Sequence, residues 1–188
     1  IDLCNFRCLY CMPPDGKYEF FKSDELLTPD ELLTLARAYM SLGVQRIRLT
    51  GGEPLLRREI LEIVSSLAAL PGLQDLSLTT NGSLLARKLA ALRKAGLRRV
   101  NISLDTLDPH AFKRIRRGGL EPVLDSIDAV LSAGMTPLKL NMVVFKQTLP
   151  WIDAMLDFCA SKPGLCLQLI QYMPEISGME SWMVDMDR

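Results

Sequence analysis

The chain carries a single histidine, His110, in 188 residues. That scarcity leaves little room for a histidine-based acid–base triad or for a zinc site built on imidazole. Net charge is also missing: 22 basic residues balance 22 acidic ones, so no overall field draws the chain toward nucleic acid or an anionic membrane. No apolar run approaches the ~18 residues that a membrane helix needs, and nothing reads as a secretory leader. Neither G-x-x-x-x-G-K-S/T nor G-x-G-x-x-G occurs, which removes support for a generic nucleotide-binding α/β protein. These absences lead to the expectation of a cytoplasmic protein with no nucleic-acid and no membrane partner.

What is present begins with composition. At 48% hydrophobic and 23% charged, the chain has the profile of a globular protein, and its length suits one domain over residues 1–188. Three of its five cysteines, Cys4, Cys8 and Cys11, fall within eight residues, in the spacing C-x3-C-x2-C. Clustered thiols suit a reducing compartment better than a disulfide scaffold. A structural zinc closes with four ligands, and a disulfide leaves one thiol over. An iron–sulfur cube held by three cysteines leaves one iron open for a small molecule. A zinc knuckle with a fourth ligand elsewhere remains the alternative. Cys159 and Cys166 are isolated in an expected helix and strand and read as buried, inert thiols.

Punctuation residues divide the remainder. After a loop at Met12 to Gly16, Thr28-Pro29-Asp30-Glu31 opens a helix through a capping box and a proline at the first helical position, and Gly43 stops it. Gln45 to Thr50 reads as a strand, ending at Gly51-Gly52-Glu53-Pro54. A helix carrying Ile60, Leu61, Val64 and Leu67 is broken by Pro71-Gly72. Strands are expected at Leu76 to Thr80, Arg99 to Leu104, Leu138 to Val144 and Leu165 to Gln171. Helices are expected at Leu84 to Ala95, from Asp108-Pro109, at Pro122 to Ala133 and at Pro150 to Ser161. Successive βαβ units imply a parallel sheet, either doubly wound or curled into a barrel. In both, ligands gather at the carboxyl ends of the strands. The residues least suited to a core fall there: Gly51-Gly52-Glu53-Pro54, Thr79-Thr80-Asn81-Gly82, Ser103-Leu104-Asp105 and Tyr172-Met173-Pro174, with Lys139 and Asn141 in the fourth strand.

The cysteine spacing, with an aromatic before the last thiol, resembles the signature of the radical S-adenosylmethionine (SAM) enzymes. The ordered series CNFRCLYCMP, RLTGGEPLLR, LTTNG, VNISLDTLD, LKLNMVV and YMP resembles the GTP 3′,8-cyclase family of molybdenum-cofactor biosynthesis. The resemblance implies a partial (β/α)6 TIM-like barrel, here a core fragment trimmed at both ends. It implies a [4Fe–4S] cluster on Cys4, Cys8 and Cys11. It implies SAM contacts at Tyr10, Gly52, Ser103 and Met173, and GTP contacts at Arg48, Thr79 and Lys139. The family's reaction cleaves SAM reductively and cyclises GTP to 3′,8-cyclo-7,8-dihydro-GTP, with no catalytic residue beyond the cluster and SAM. An external electron donor, a homodimer and a second, C-terminal [4Fe–4S] cluster outside this chain complete the expectation. Another radical SAM enzyme, a peptide or haem maturase, is the alternative.

Each assignment has a plainer counterpart. The Tyr10 ring can simply pack, Ser103 can be a turn residue, and Met173 can be core. Arg48 and Lys139 can pair with a nearby carboxylate; a cation in an otherwise apolar strand needs an anion of some kind. The run Lys113 to Arg117 reads as a solvated helix face. Gln168 and Gln171 stand where family members often carry Arg and Glu, and an N-terminal Arg of the family is absent.

Overall fold

In the computed structural model, which describes residues 1–12, 18–174 and 179–186, the punctuation residues do what their chemistry dictates. Helix α1 (Pro29–Ser41) starts on a reciprocal cap: Thr28 Oγ1 accepts from Glu31 N at 3.3 Å, and the Glu31 carboxylate accepts from Thr28 N at 2.8 Å. The elements that follow are β1 (Arg46–Leu49), α2 (Ile60–Ala68), β2 (Asp75–Thr80), α3 (Leu85–Lys94), β3 (Arg99–Ser103) and α4 (Pro109–Arg116). Then come α5 (Glu121–Ser132), β4 (Leu138–Val144), α6 (Ile152–Ser161) and β5 (Leu165–Gln171). The helix expected from Pro150 divides into a short 3-10 turn, Leu149–Trp151, and α6. Residues 13–16 of the expected first loop lie outside the described residues.

The five strands lie in the order β1-β2-β3-β4-β5, every neighbouring pair parallel. A doubly wound sheet would reverse direction and place later strands on both sides of the first. This order never reverses, so the chain is a singly wound arc of βα units, the partial barrel. Residues 1–3 bond to the loop after β1, Gly52 N donating to Ile1 O and Glu53 N to Leu3 O, both at 2.8 Å.

Strand register sorts the side chains into two faces. Ile47, Leu76, Leu78, Val100, Ile102, Leu138, Leu140 and Met142 share one face and join a core with α2, α3 and α5. Val64, Leu92, Val123 and Ile127 from those helices are fully buried against them. The opposite face carries Arg46, Arg48, Asp75, Ser77, Thr79, Arg99, Asn101, Ser103, Lys139, Asn141, Cys166 and Gln168. A parallel sheet covered on both sides reads as continuous apolar runs. Here each strand alternates instead, because one face packs on helices and the other is polar.

Leu78 is fully buried in the middle of the apolar face. Leu78→Ala is expected to cost about 2–5 kcal/mol, seen as a lowered urea midpoint with unchanged slope. A loss below about 1 kcal/mol would place Leu78 outside the core.

Candidate functional site

The cysteine loop is held by the end of a helix. The last carbonyls of an α-helix have no partners within it. At α4 two of them are taken by the residues flanking Cys8: Leu9 N donates to Ile115 O at 2.9 Å and Arg7 N to Arg116 O at 3.2 Å. Arg117 closes α4 in the left-handed region, at φ 54°. Gly118 follows directly under the Phe6 ring, where any Cβ would overlap the ring carbons. Cys8 therefore sits over the last turn of α4.

Side chains reinforce this clasp. Tyr10 Oη donates to Asp105 Oδ2 at 2.8 Å and accepts from Arg116 Nη1. Arg116 Nη1 also bonds Asp105 Oδ2 at 3.0 Å, and Asp105 Oδ1 accepts from Val143 N at 3.0 Å. Arg116 is 3% exposed and Asp105 is fully buried. The guanidinium lies against the rings of Phe6, Tyr10 and Phe112 at 5.8–6.0 Å. Burial, and then the Asp105 charge, hold the Tyr10 phenol protonated well above its ordinary pKa, as a donor to Asp105 must be. The Tyr10 ring packs edge-on to Phe145, so the packing reading of the ring holds. The expectation that Lys113 to Arg117 forms a solvated face fails at Arg116, which turns inward because Ile115 and Arg116 occupy the buried side of α4.

A second clasp joins the loop to β2. Glu53 is fully buried and accepts three bonds: Thr80 Oγ1 at 2.7 Å, Asn81 N at 2.7 Å and Leu55 N at 3.1 Å. Burial raises its pKa against those bonds. Asn81 Nδ2 then donates to Asn5 Oδ1 at 2.9 Å and approaches Cys4 Sγ at 3.8 Å. Phe6 N also donates to Cys4 Sγ at 3.4 Å. The Gly51-Gly52 pair permits a close backbone approach, and in this structure the approach is made by residues 1–3: a Cβ on Gly52 would overlap the carbonyls of Asp2 and Leu3.

All five cysteines are reduced. Among the described residues, no group of three His, Cys, Asp or Glu side chains converges to hold a single metal ion. A cube asks for something different, since each of its cysteines ligates a separate iron. The donor set fits such a cluster: three thiols on one loop, with N–H groups directed at Cys4 Sγ, the kind of hydrogen bond that tunes cluster sulfur. Burial pushes the Cys8 thiol up to about 11, with Arg116 opposing, so the thiolate needs a compensating cation such as a bound metal.

Of the expected ligand residues, Arg48, Thr79, Ser103 and Lys139 lie on the polar sheet face. Thr79, Asn101 and Lys139 form one register row, with Cys166 next in line; Ser103, Asn141 and Gln168 form the row above. Arg48 lies one row below Thr79, level with Ser77 and Arg99. Arg48 is exposed on the edge strand, and neither it nor Lys139 makes an ion pair with a described residue. Asp75, a carboxylate on the same face, is taken by Arg99. The sequence argument that these cations stand in apolar strands is corrected: their face is polar. Met173 is 76% exposed on the rim, which overturns its core reading. Cys166 is exposed on the polar face, not buried. Two polar atoms on this face, Asn101 Nδ2 and Asn141 Oδ1, are buried and have no partner. The pattern that would have revealed Asn101 is the strict polar–apolar alternation of RVNIS and LKLNM.

The model of the Radical SAM superfamily matches residues 1–159. The chain belongs to that superfamily. Among curated proteins, this radical SAM chain is 44% identical over 183 residues to "GTP 3′,8-cyclase" of Listeria monocytogenes, covering 96% of this chain and 54% of that protein. It is 48% identical over 174 residues to "Molybdenum cofactor biosynthesis protein 1" of Bos taurus, covering 91% and 27%. The chain thus spans about half the length of the bacterial relatives it matches. Among solved structures, SuiB of Streptococcus suis bound to S-adenosylmethionine superposes with a TM-score of 0.74 at 17% identity, covering 94% of this chain and 38% of that one. The radical SAM fold is therefore shared well beyond close sequence relatives. No helix among the described residues is long and apolar enough to cross a membrane.

On the polar face, Arg99 holds the Asp75 carboxyl below its ordinary pKa. A depressed carboxyl adds stability above its unfolded pKa, and that stability is lost as pH falls through the folded value. Wild type is expected to exceed Asp75→Asn in urea midpoint at neutral pH, with the gap closing below about pH 4. A gap that ignores pH would show that the ion pair contributes nothing.

Proposed function

We propose that this chain is the catalytic core of a GTP 3′,8-cyclase: it binds a [4Fe–4S] cluster on Cys4, Cys8 and Cys11, holds SAM beside it, and presents GTP on the polar sheet face. The observation that carries this is the juxtaposition of a three-thiol loop with a polar strand face bearing unpartnered amides and cations. The identity to relatives named for that reaction supports GTP as the substrate. The cluster with SAM supplies reductive cleavage of the sulfonium bond.

The protein's own work is positioning. In this reading Tyr10 of the cysteine loop, Gly52 after β1, Ser103 at the end of β3 and Met173 after β5 receive SAM. Lys139 and Thr79 flank Asn101 in one row, and Arg48 adds charge one row below. Cations with no carboxylate partner among the described residues suit a triphosphate, for which Arg and Lys are the usual receptors. The apolar core behind them keeps the face rigid, which orientation-dependent hydrogen abstraction requires. A second cluster, an electron donor and a homodimer belong to the whole protein in this reading. The peptide-maturase alternative rests on fold likeness alone, and no residue here favours it.

Anaerobic reconstitution tests the proposal. The chain should bind iron and sulfide, and on reduction release 5′-deoxyadenosine from SAM; a cyclised product from GTP decides the substrate. Zinc or an empty site after reconstitution would overturn the cluster, and cleavage without GTP binding would overturn the substrate. Cys8→Ala is expected to lose iron and the cluster's visible absorbance. Arg48→Ala should weaken GTP binding by roughly ten- to a hundredfold, the worth of one charge-assisted contact, while SAM cleavage persists. Loss of both would recast Arg48 as structural.

A further inference from the structure

The pair Arg116–Asp105 is a costly feature that stability alone does not explain. Burying two charges rarely repays their desolvation relative to an apolar pair. Arg116 adds to that cost, since its Nε is buried with no partner. Yet the pair lies beneath the cysteine loop. The residues on either side of Cys8 bond to the carbonyls of Ile115 and of Arg116 itself. Tyr10, between Cys8 and Cys11, bonds both charges. Phe6, between Cys4 and Cys8, lies against the guanidinium at 5.8 Å. The loop is wrapped around one fixed cation.

We propose that Arg116 sets the reduction potential of the iron–sulfur site: its buried guanidinium, fixed by Asp105 and Tyr10 under the loop of Cys4, Cys8 and Cys11, offsets the negative charge of a cluster carrying three thiolates. This rests on the cluster reading above. Fixed charge and buried dipoles near a cluster are among the levers that set its potential. A cation favours the more negative, reduced state, while its counter-ion Asp105 tempers it. Arg116 is thus a positioning and charge-setting residue, not one that touches the reacting atoms.

The two partners give opposite signs, and that is the test. Iron content and the midpoint potential from spectroelectrochemical titration are measured on the reconstituted chain and three variants. Arg116→Gln should lower the potential by an amount equal to about a tenfold change in the oxidised-to-reduced ratio, about 59 mV for one electron. Asp105→Asn should raise it. Arg116→Lys, which keeps the charge, should stay close to wild type; if the glutamine variant fails to fold, the rise in Asp105→Asn carries the test. Shifts of the same sign in Arg116→Gln and Asp105→Asn, or an unchanged potential in either of these two at full iron content, would overturn the inference while leaving the cluster intact. A wild-type chain that takes up no cluster would remove the reading and the inference together.

Discussion

A guanidinium surrounded by aromatic rings and a buried carboxylate holds the functional end of this molecule together. Arg116 and Asp105 come from one βα unit, at the end of α4 and just after β3, and Tyr10 comes from the cysteine loop. In a low-dielectric setting each hydrogen bond in such a network strengthens its neighbours, and each missing partner is expensive. The loop has little regular structure of its own. Its shape is borrowed from the last turn of α4, whose spare carbonyls it satisfies. Loop and helix end are each incomplete without the other.

The second constraint is the division of the sheet into two unlike faces. Helices cover the apolar side, and hydrophobic burial there provides the folding free energy. That leaves the opposite side available for polar groups without loss of core. Arg48, Thr79, Asn101, Lys139, Ser103 and Asn141 occupy it as consecutive register rows. A rigid strand scaffold fixes them more accurately than loops would, while the loops at the strand ends bring in the thiols and Glu53.

The buried Glu53 connects the two constraints. Its carboxylate reaches from the loop after β1 to Thr80 and Asn81 at the end of β2, and Asn81 reaches on to Asn5 and Cys4. Loss of hydration is met by three donors, which makes the buried acid a structural hub between strand ends. Gly51 and Gly52 serve the same junction, since only residues without Cβ let the first three residues lie so close.

Much of this was legible before any coordinates, and what was legible is local. The capping box at Thr28, the stop at Gly43, the strand at Leu138–Val144 and the thiol spacing depend on residues a few positions apart. Local geometry decides such features, so the order of residues alone was enough for them. The inward turn of Arg116, the role of Asp105, the exposure of Cys166 and Met173, and the polar character of the face around Arg48 and Lys139 were not legible. Tyr10 and Asp105 are 95 positions apart. Whether a charge meets solvent, a ring or a carboxylate is set by strand register and helix packing between such distant segments. The sequence by itself determined the elements, the cysteine motif and the family; only the tertiary structure decided a singly wound sheet and the partners of the buried charges, because those depend on which distant surfaces meet.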